Sequence, residues 1–130
     1  MTSQAVEVIL LRQLASYLGM PVWLMDDEGN LLFYNAAAEP MIGRPFADTG
    51  PIRADDLADL FVTTRENGEP LPNEELPVVI ALGQRKPAHG RLRFQSFDGA
   101  SHLIDLTALP ITGQGDRHLG VVVVFWEVER

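Results

Sequence analysis

The chain has 130 residues, no cysteine and a formal net charge of -8, with 46% hydrophobic and 22% charged residues. This length fits one domain with a real core, and the composition is that of an ordinary folded protein. The absence of cysteine excludes disulfides, thiolate metal sites and cysteine nucleophiles. The acidic balance argues against direct nucleic-acid binding, which needs clustered Lys and Arg.

The amino-terminal segment has the features of neither a secretory signal nor a membrane span. No basic residue precedes its apolar stretch, which Arg12 and Gln13 interrupt. We therefore expect a cytoplasmic protein with no membrane partner.

Residues 3–18 show the three- and four-residue spacing of an amphipathic helix that stops at Gly19. The apolar residues that share one face of this helix are Val6, Ile9, Leu10, Leu14, Tyr17 and Leu18. Val8, Leu11 and Ala15 widen the apolar surface beyond what packing on one core needs. Two interpretations stay open: the helix packs only on its own domain, or it forms a homodimer interface. The interface residues would be Val6, Ile9, Leu10, Leu14 and Tyr17.

Two apolar runs, 22–25 and 31–34, flank the turn-forming segment 26–30 and predict a hairpin of antiparallel strands. Asn35 precedes Ala36-Ala37-Ala38-Glu39, so its side chain is placed to accept hydrogen bonds from the amides of a helix start. Gly43 closes this short helix.

The middle of the chain reads as a connector followed by a longer helix. Residues 44–73 contain six Pro or Gly residues and one helical fragment near 54–63. Asn73 is placed to cap a helix over residues 74–85, in which Leu76, Val79, Ile80 and Gly83 share a face.

The last third predicts three antiparallel strands. Residues 91–96 alternate between polar and apolar, which indicates a half-solvated strand, and residues 101–111 follow after an Asp98-Gly99 turn. The continuous apolar run 121–126 indicates a central strand covered on both faces.

This order of elements, with Leu31-Leu32-Phe33-Tyr34-Asn35-Ala36-Ala37-Ala38-Glu39 and then Ile42-Gly43, closely resembles a PAS domain, the sensor and docking module of bacterial signalling proteins. The resemblance covers Met20–Val128. It implies an α+β fold with five antiparallel strands in the order 2-1-5-4-3 and helices packed on one face. The expected organisation is an amphipathic helix at 1–19 and the PAS-like domain at 20–130.

The resemblance also implies a place for a small apolar ligand, between the helices and the sheet. The matching positions are Phe33, Met41, Ile42, Phe61, Val79, Ile80, Phe94, Leu106 and Val123. A filled hydrophobic core explains the same residues. Light-sensing relatives attach flavin to a cysteine and oxygen-sensing relatives hold haem by a histidine on the long helix, so both cofactors are disfavoured and the cofactor stays unknown. The spacing of His89, His102 and His118 matches no zinc pattern.

Three functions compete on the sequence alone. The first is a signal-sensing PAS domain that acts on an effector or signalling partner through dimerisation, and the second is a docking module without a ligand. The third is a small enzyme or binding protein with the ketosteroid-isomerase-like fold, in which Asp105 is the candidate buried carboxylate. No catalytic residue is assigned under the first two.

Overall fold

The elements of the chain are taken from a computed structural model that describes residues 5–128. The helices are α1 (Val6–Tyr17), α2 (Glu39–Ile42), α3 (Phe46–Thr49), α4 (Ala54–Leu60) and α5 (Pro77–Gln84). The strands are β1 (Val22–Asp26), β2 (Leu31–Tyr34), β3 (Val62–Thr64), β4 (Ala88–Gln95), β5 (Ser101–Thr112) and β6 (His118–Glu127). Within these described residues, no helix has the length and apolar character needed to cross a membrane.

One antiparallel sheet contains all six strands, in the order β2-β1-β6-β5-β4-β3. The α+β class and the central position of the last strand are confirmed, but the expected count of five strands is wrong. The additional strand is β3, whose three residues pair with the edge of β4 from Val62 opposite Gln95 to Thr64 opposite Arg93. Its β-branched residues favour extended backbone, so α4 ends at Leu60 and not near Thr63 as expected.

The two faces of the sheet are packed differently. Successive side chains of a strand point to opposite faces, and on β6 the residues Val121, Val123 and Phe125 enter the main buried cluster together with Met25 of β1. The helices after β2 pack on this inner face. The outer face includes Val22 and Leu24, which are also buried, and it is partly covered by α1.

Helix α1 is shorter than the predicted span of 3–18 within the part that the structure describes, and residues 3 and 4 lie outside that part. It ends at Tyr17, because Leu18 already has extended backbone dihedrals. The predicted Asn35 cap and the Gly43 stop are confirmed. Gly43 has a φ of 95°, the left-handed conformation that glycine adopts without steric cost.

Helix α5 departs from its prediction in both its start and its buried face. It begins at Pro77 because the residue before a proline disfavours helical dihedrals, and Leu76 is extended there. Asn73 lies within a separate 3-10 turn, Asn73–Glu75, so its role as the cap of this helix was predicted wrongly. The fully buried residue of α5 is Ala81, with Val78 and Leu82 packed against the core, whereas Gly83 of the expected face is exposed.

Candidate functional site

The space between the helices and the sheet contains six of the nine residues proposed to contact a ligand. They are Met41, Ile42, Phe61, Phe94, Leu106 and Val123. Each is at most 9% exposed, and all belong to one buried cluster. Residues from α2, the end of α4 and three strands therefore meet at one place, and their packed side chains form the centre of the core.

The other three proposed contact residues lie outside this cluster. Phe33 is half-buried beside Arg12 of α1, whose guanidinium lies 4.7 Å from the ring centroid, and its ring is 5.2 Å from that of Phe46. Val79 and Ile80 are half-buried on α5. A ligand that touched all nine residues would have to extend beyond the central cluster.

Trp23 is an interior residue that the sequence pattern did not single out as a site residue. Its ring centroid lies 5.9 Å from that of Phe61 and 5.9 Å from that of Phe125. The indole Nε1 is shielded from solvent and has no hydrogen-bond partner among the described residues. A buried donor without an acceptor costs about 1–3 kcal/mol. The available signal was an indole in the apolar strand Val22-Trp23-Leu24-Met25, where its N–H needs a partner.

Helix α1 has one buried side and one exposed apolar side. The buried side includes Val8 and Ala15, which are 5% and 2% exposed. The exposed side carries large apolar residues with exposed fractions of 66% for Val6, 49% for Ile9, 58% for Leu10, 54% for Leu14 and 77% for Tyr17. We call these five residues the apolar stripe. The stripe is thus additional to the surface with which α1 packs on its own domain.

Asn35 joins the end of α1 to the corner that follows β2. Its side chain is buried, and Oδ1 accepts hydrogen bonds from the amides of Val22 at 3.0 Å and Ala38 at 3.2 Å. Nδ2 donates to the carbonyl oxygens of Ala15 and Met20, each at 2.9 Å. The cap of one short helix therefore also holds the carboxyl end of α1.

The first turn of α1 is held by the hairpin between β5 and β6. The amide of Gln114 donates to Glu7 Oε2 at 3.2 Å. A Cβ at the neighbouring Gly113 would stand 2.8 Å from the same carboxylate oxygen, so a larger residue there would displace the Glu7 side chain from this contact. Polar contacts therefore fix α1 at both of its ends.

Asp105 does not have the environment of a catalytic acid. Arg91 donates to both of its carboxylate oxygens, with Nε to Oδ1 at 2.8 Å and Nη2 to Oδ2 at 3.1 Å. These hydrogen bonds lower the pKa of Asp105 from its usual value. A general acid near neutral pH needs the opposite shift. The motive for the ketosteroid-isomerase-like alternative is therefore weakened.

The histidines have three different environments. His89 Nδ1 lies 2.9 Å from Thr107 Oγ1, and His102 Nδ1 lies 3.0 Å from Glu127 Oε2. Both ring nitrogens of His118 are covered and unpartnered among residues 5–128. In the same range, no three His, Asp or Glu side chains come close enough to hold a metal ion.

The arrangement defines a small domain in which helices pack on one antiparallel sheet. Apart from the added edge strand β3, its strand order is the one expected of a PAS domain, with helices packed on the inner face. The chain has the PAS fold. Solved structures support this assignment, and because their sequence identities to this chain are low, they establish the fold and nothing more.

Three of these structures cover most of both chains. The PAS domain of a protein from Colwellia psychrerythraea matches with a TM-score of 0.66 and 16% identity over 93% of this chain and 96% of its own. The PAS domain of nitrogen regulation protein NR(II) from Vibrio parahaemolyticus gives 0.65 and 19% over 92% and 98%. The Rhodobacter sphaeroides LOV protein gives 0.72 and 17% over 97% and 70%. No family model and no curated protein matches the sequence.

Proposed function

We propose that the chain is a sensory or protein-interaction PAS domain of a bacterial-type signalling system, and that it pairs with a second copy of itself through the apolar stripe. The observation that carries the proposal is that α1 exposes five large apolar side chains although its other side is already buried. We assign it no catalytic residue. Its output goes to a signalling partner or to an effector domain.

The apolar stripe can pair with the stripe of a second copy, because its burial offsets the free-energy cost of association and its residues are uncharged. Moving a large apolar side chain fully out of water contributes about 1.5–3 kcal/mol, and two copies present ten such side chains against an association cost of about 4–15 kcal/mol. The five residues carry no charge, so two copies can meet there without burying an unpaired ion, although the chain has a net charge of -8.

Light scattering over a range of protein concentrations tests the pairing. We expect the mass of a dimer for the wild type and that of a monomer for Leu14→Lys. Leu60→Lys is the matched control, because Leu60 is a comparably exposed leucine outside α1, at 40% against 54% for Leu14. A wild-type chain that stays monomeric at about 1 mM, where even weak pairing with a millimolar Kd is populated, overturns the proposal.

A second candidate function, binding of a small apolar ligand, is favoured by the unpartnered indole of Trp23. A ligand in the interior with one carbonyl or ether oxygen would give Nε1 its acceptor, and the surrounding contacts would come from the nine residues proposed from the sequence. Such mostly apolar sites with one placed polar group are typical of small-molecule pockets. The ligand would then be the signal to which the domain responds.

Native mass spectrometry of gently purified protein and thermal-shift screening with apolar carbonyl compounds test this binding. Trp23→Phe removes the donor and should abolish the stabilisation that a ligand gives. Trp126→Phe is the control, since Trp126 is 45% exposed at the end of β6. If no species copurifies and no compound raises Tm, the ligand proposal fails while the docking proposal is unaffected.

A further inference from the structure

A basic cleft lies at the end of the sheet where the turn between β1 and β2 meets the hairpin between β5 and β6. It is an open depression of about 580 Å³ lined by Asp27, Arg85, Arg117, His118 and Leu119. Asp27 comes from the turn between β1 and β2, Arg85 follows α5, and the other three residues belong to the start of β6 and the hairpin before it. Three separate segments of an acidic chain thus bring two arginines and a histidine together.

The two arginines of the basic cleft are available to a ligand. Within residues 5–128, neither Arg85 nor Arg117 forms an ion pair, while Arg53, Arg65 and Arg91 each pair with a carboxylate. A guanidinium presents a planar set of donors that matches the oxygens of a carboxylate or a phosphoryl group. Two guanidinium groups that line one depression are a donor set suited to an oxyanion.

Backbone strain is concentrated at the same place. Arg85 has a φ of 55° and Asp116, which precedes Arg117, has a φ of 58°; they are the two non-glycine residues with positive φ in the described chain. Left-handed backbone is costly for such residues, and this kind of strain clusters at binding sites. Glycine is the usual residue in the left-handed conformation at the end of a helix. Arg85 occupies this position after α5, so its side chain is present although glycine would make the fold more stable.

His118, which also lines the basic cleft, has hydrogen-bonding groups without partners in the part of the chain that the structure describes. Both of its ring nitrogens are covered without a partner among the described residues, and a neutral imidazole has one donor and one acceptor to satisfy. Because these nitrogens are shielded, a ligand in the basic cleft would pair with one of them only if the imidazole turned towards the cleft. Asp27, which also lines the cleft, repels a bare anion and favours one that carries a hydroxyl or ammonium group beside its charge.

From these observations we infer that the basic cleft binds a small anionic metabolite whose phosphoryl or carboxylate group is held by Arg85 and Arg117 and whose neighbouring donor is held by Asp27. The site is independent of the interior, so it can exist whether or not the interior binds an apolar ligand.

Amide chemical shifts in the full chain, titrated with glycerol 3-phosphate and separately with malate, test the inference. Sodium chloride at the same ionic strength is the reference. We expect saturable shifts at Arg85, Arg117 and His118 with at least one of the two compounds, and comparison of the two compounds distinguishes phosphoryl from carboxylate ligands. Shifts that sodium chloride reproduces would mean that the cleft binds no specific anion, which overturns the inference.

Three variants sharpen the test. Arg117→Gln and Arg85→Gly should each weaken binding about tenfold, the loss expected for one charge-assisted hydrogen bond, whereas Arg53→Gln should stay within about twofold. Arg85→Gly should also raise Tm by about 3 °C, because glycine relieves the left-handed strain. Loss of binding together with a gain in stability is not expected of a merely structural arginine. Unchanged affinity in both cleft variants contradicts the inference.

Discussion

Replacing Asn35 by Asp tests whether this residue holds α1 on the domain. The substitution keeps the shape of the side chain and the oxygen that accepts from Val22 and Ala38. It replaces the donating Nδ2 by an oxygen that faces the carbonyl oxygens of Ala15 and Met20. The cap of the short helix should therefore survive, while the end of α1 loses both donors.

The size of the effect follows from burial and from the number of hydrogen bonds lost. Asn35 is 1% exposed, so water does not replace the lost donors. Each buried acceptor left unsatisfied costs about 1–3 kcal/mol, and the carboxylate adds repulsion from the carbonyl oxygens, including that of Leu18 at 3.4 Å. We expect Asn35→Asp to reduce the free energy of unfolding by about 3–5 kcal/mol, a large part of the stability of such a domain.

The cost should also depend on pH. Burial next to carbonyl oxygens raises the pKa of the introduced carboxyl above its unfolded value, so the native state binds the extra proton more tightly. The loss of stability should then be complete above the folded-state pKa and should shrink as pH falls towards about 4, the unfolded value. Asn35→Ala, which has no proton to gain, should show no such recovery.

Urea denaturation at pH 7 and pH 4.5 measures both effects relative to wild type, and hydrogen exchange reports whether the α1 amides open first. Asn67→Asp is the matched control, because Asn67 is exposed and its Oδ1 accepts from the amide of Glu69, a role that a carboxylate keeps. A cost below about 0.5 kcal/mol, the usual range for surface substitutions, would refute the assignment of Asn35 as the tether.

Three further predictions concern backbone and burial. Gly120→Ala should destabilise the fold by about 3 kcal/mol or more in urea, because its Cβ would overlap the carbonyl oxygen of Met25 where φ is 145°. Gly43→Ala should cost more than Gly68→Ala, since both have φ near 90° but only the first would press its Cβ against a backbone amide, at 3.1 Å; equal losses would contradict this. Burial raises the pKa of Tyr34 above 10.0, so its proton is held more tightly in the native state and stability should fall as pH rises beyond 10. Urea midpoints at pH 9 and pH 11 check this: between these two pH values, Tyr34→Phe should lose less stability than the wild type, because it has no phenol to titrate.

Local signals in the sequence predicted those parts of the fold that depend on neighbouring residues. The hairpin over 22–34, the Asn35 cap and the Gly43 stop follow from turn and capping chemistry within a few positions. The alternating strand at 91–96 and the apolar strand at 121–126 follow from the burial of one or both faces. The hairpin, the cap, the stop and the half-solvated strand are confirmed, and so is the central position of the last strand. Its coverage on both faces is only partial, because Val122 and Val124 are half-buried and Trp126 is 45% exposed.

Most of the features that the sequence did not predict correctly depend on contacts between distant residues. β3 is only three residues long and exists because the edge of β4 accepts it, which no local pattern shows. The start of α5 was missed because Pro77 excludes Leu76 from the helix, and its inward face is set by how the helix lies on the sheet, with Ala81, Val78 and Leu82 turned to the core. The basic cleft combines residues that are far apart in the sequence, so neither Arg85 nor Arg117 stood out there.

The contacts of α1 relate these sites physically to one another. At its carboxyl end, the carbonyl oxygen of Ala15 accepts a hydrogen bond from Asn35, which follows β2. In its first turn, Glu7 accepts a hydrogen bond from the amide of Gln114. Gln114 belongs to the hairpin that carries Arg117 of the basic cleft. A ligand that reshapes either place changes a hydrogen bond that positions α1, whereas the apolar stripe faces outward and is free to meet a partner. Between these anchors, Val8 and Ala15 are the buried residues of the helix, so polar contacts and a small packed face together hold α1 on the domain.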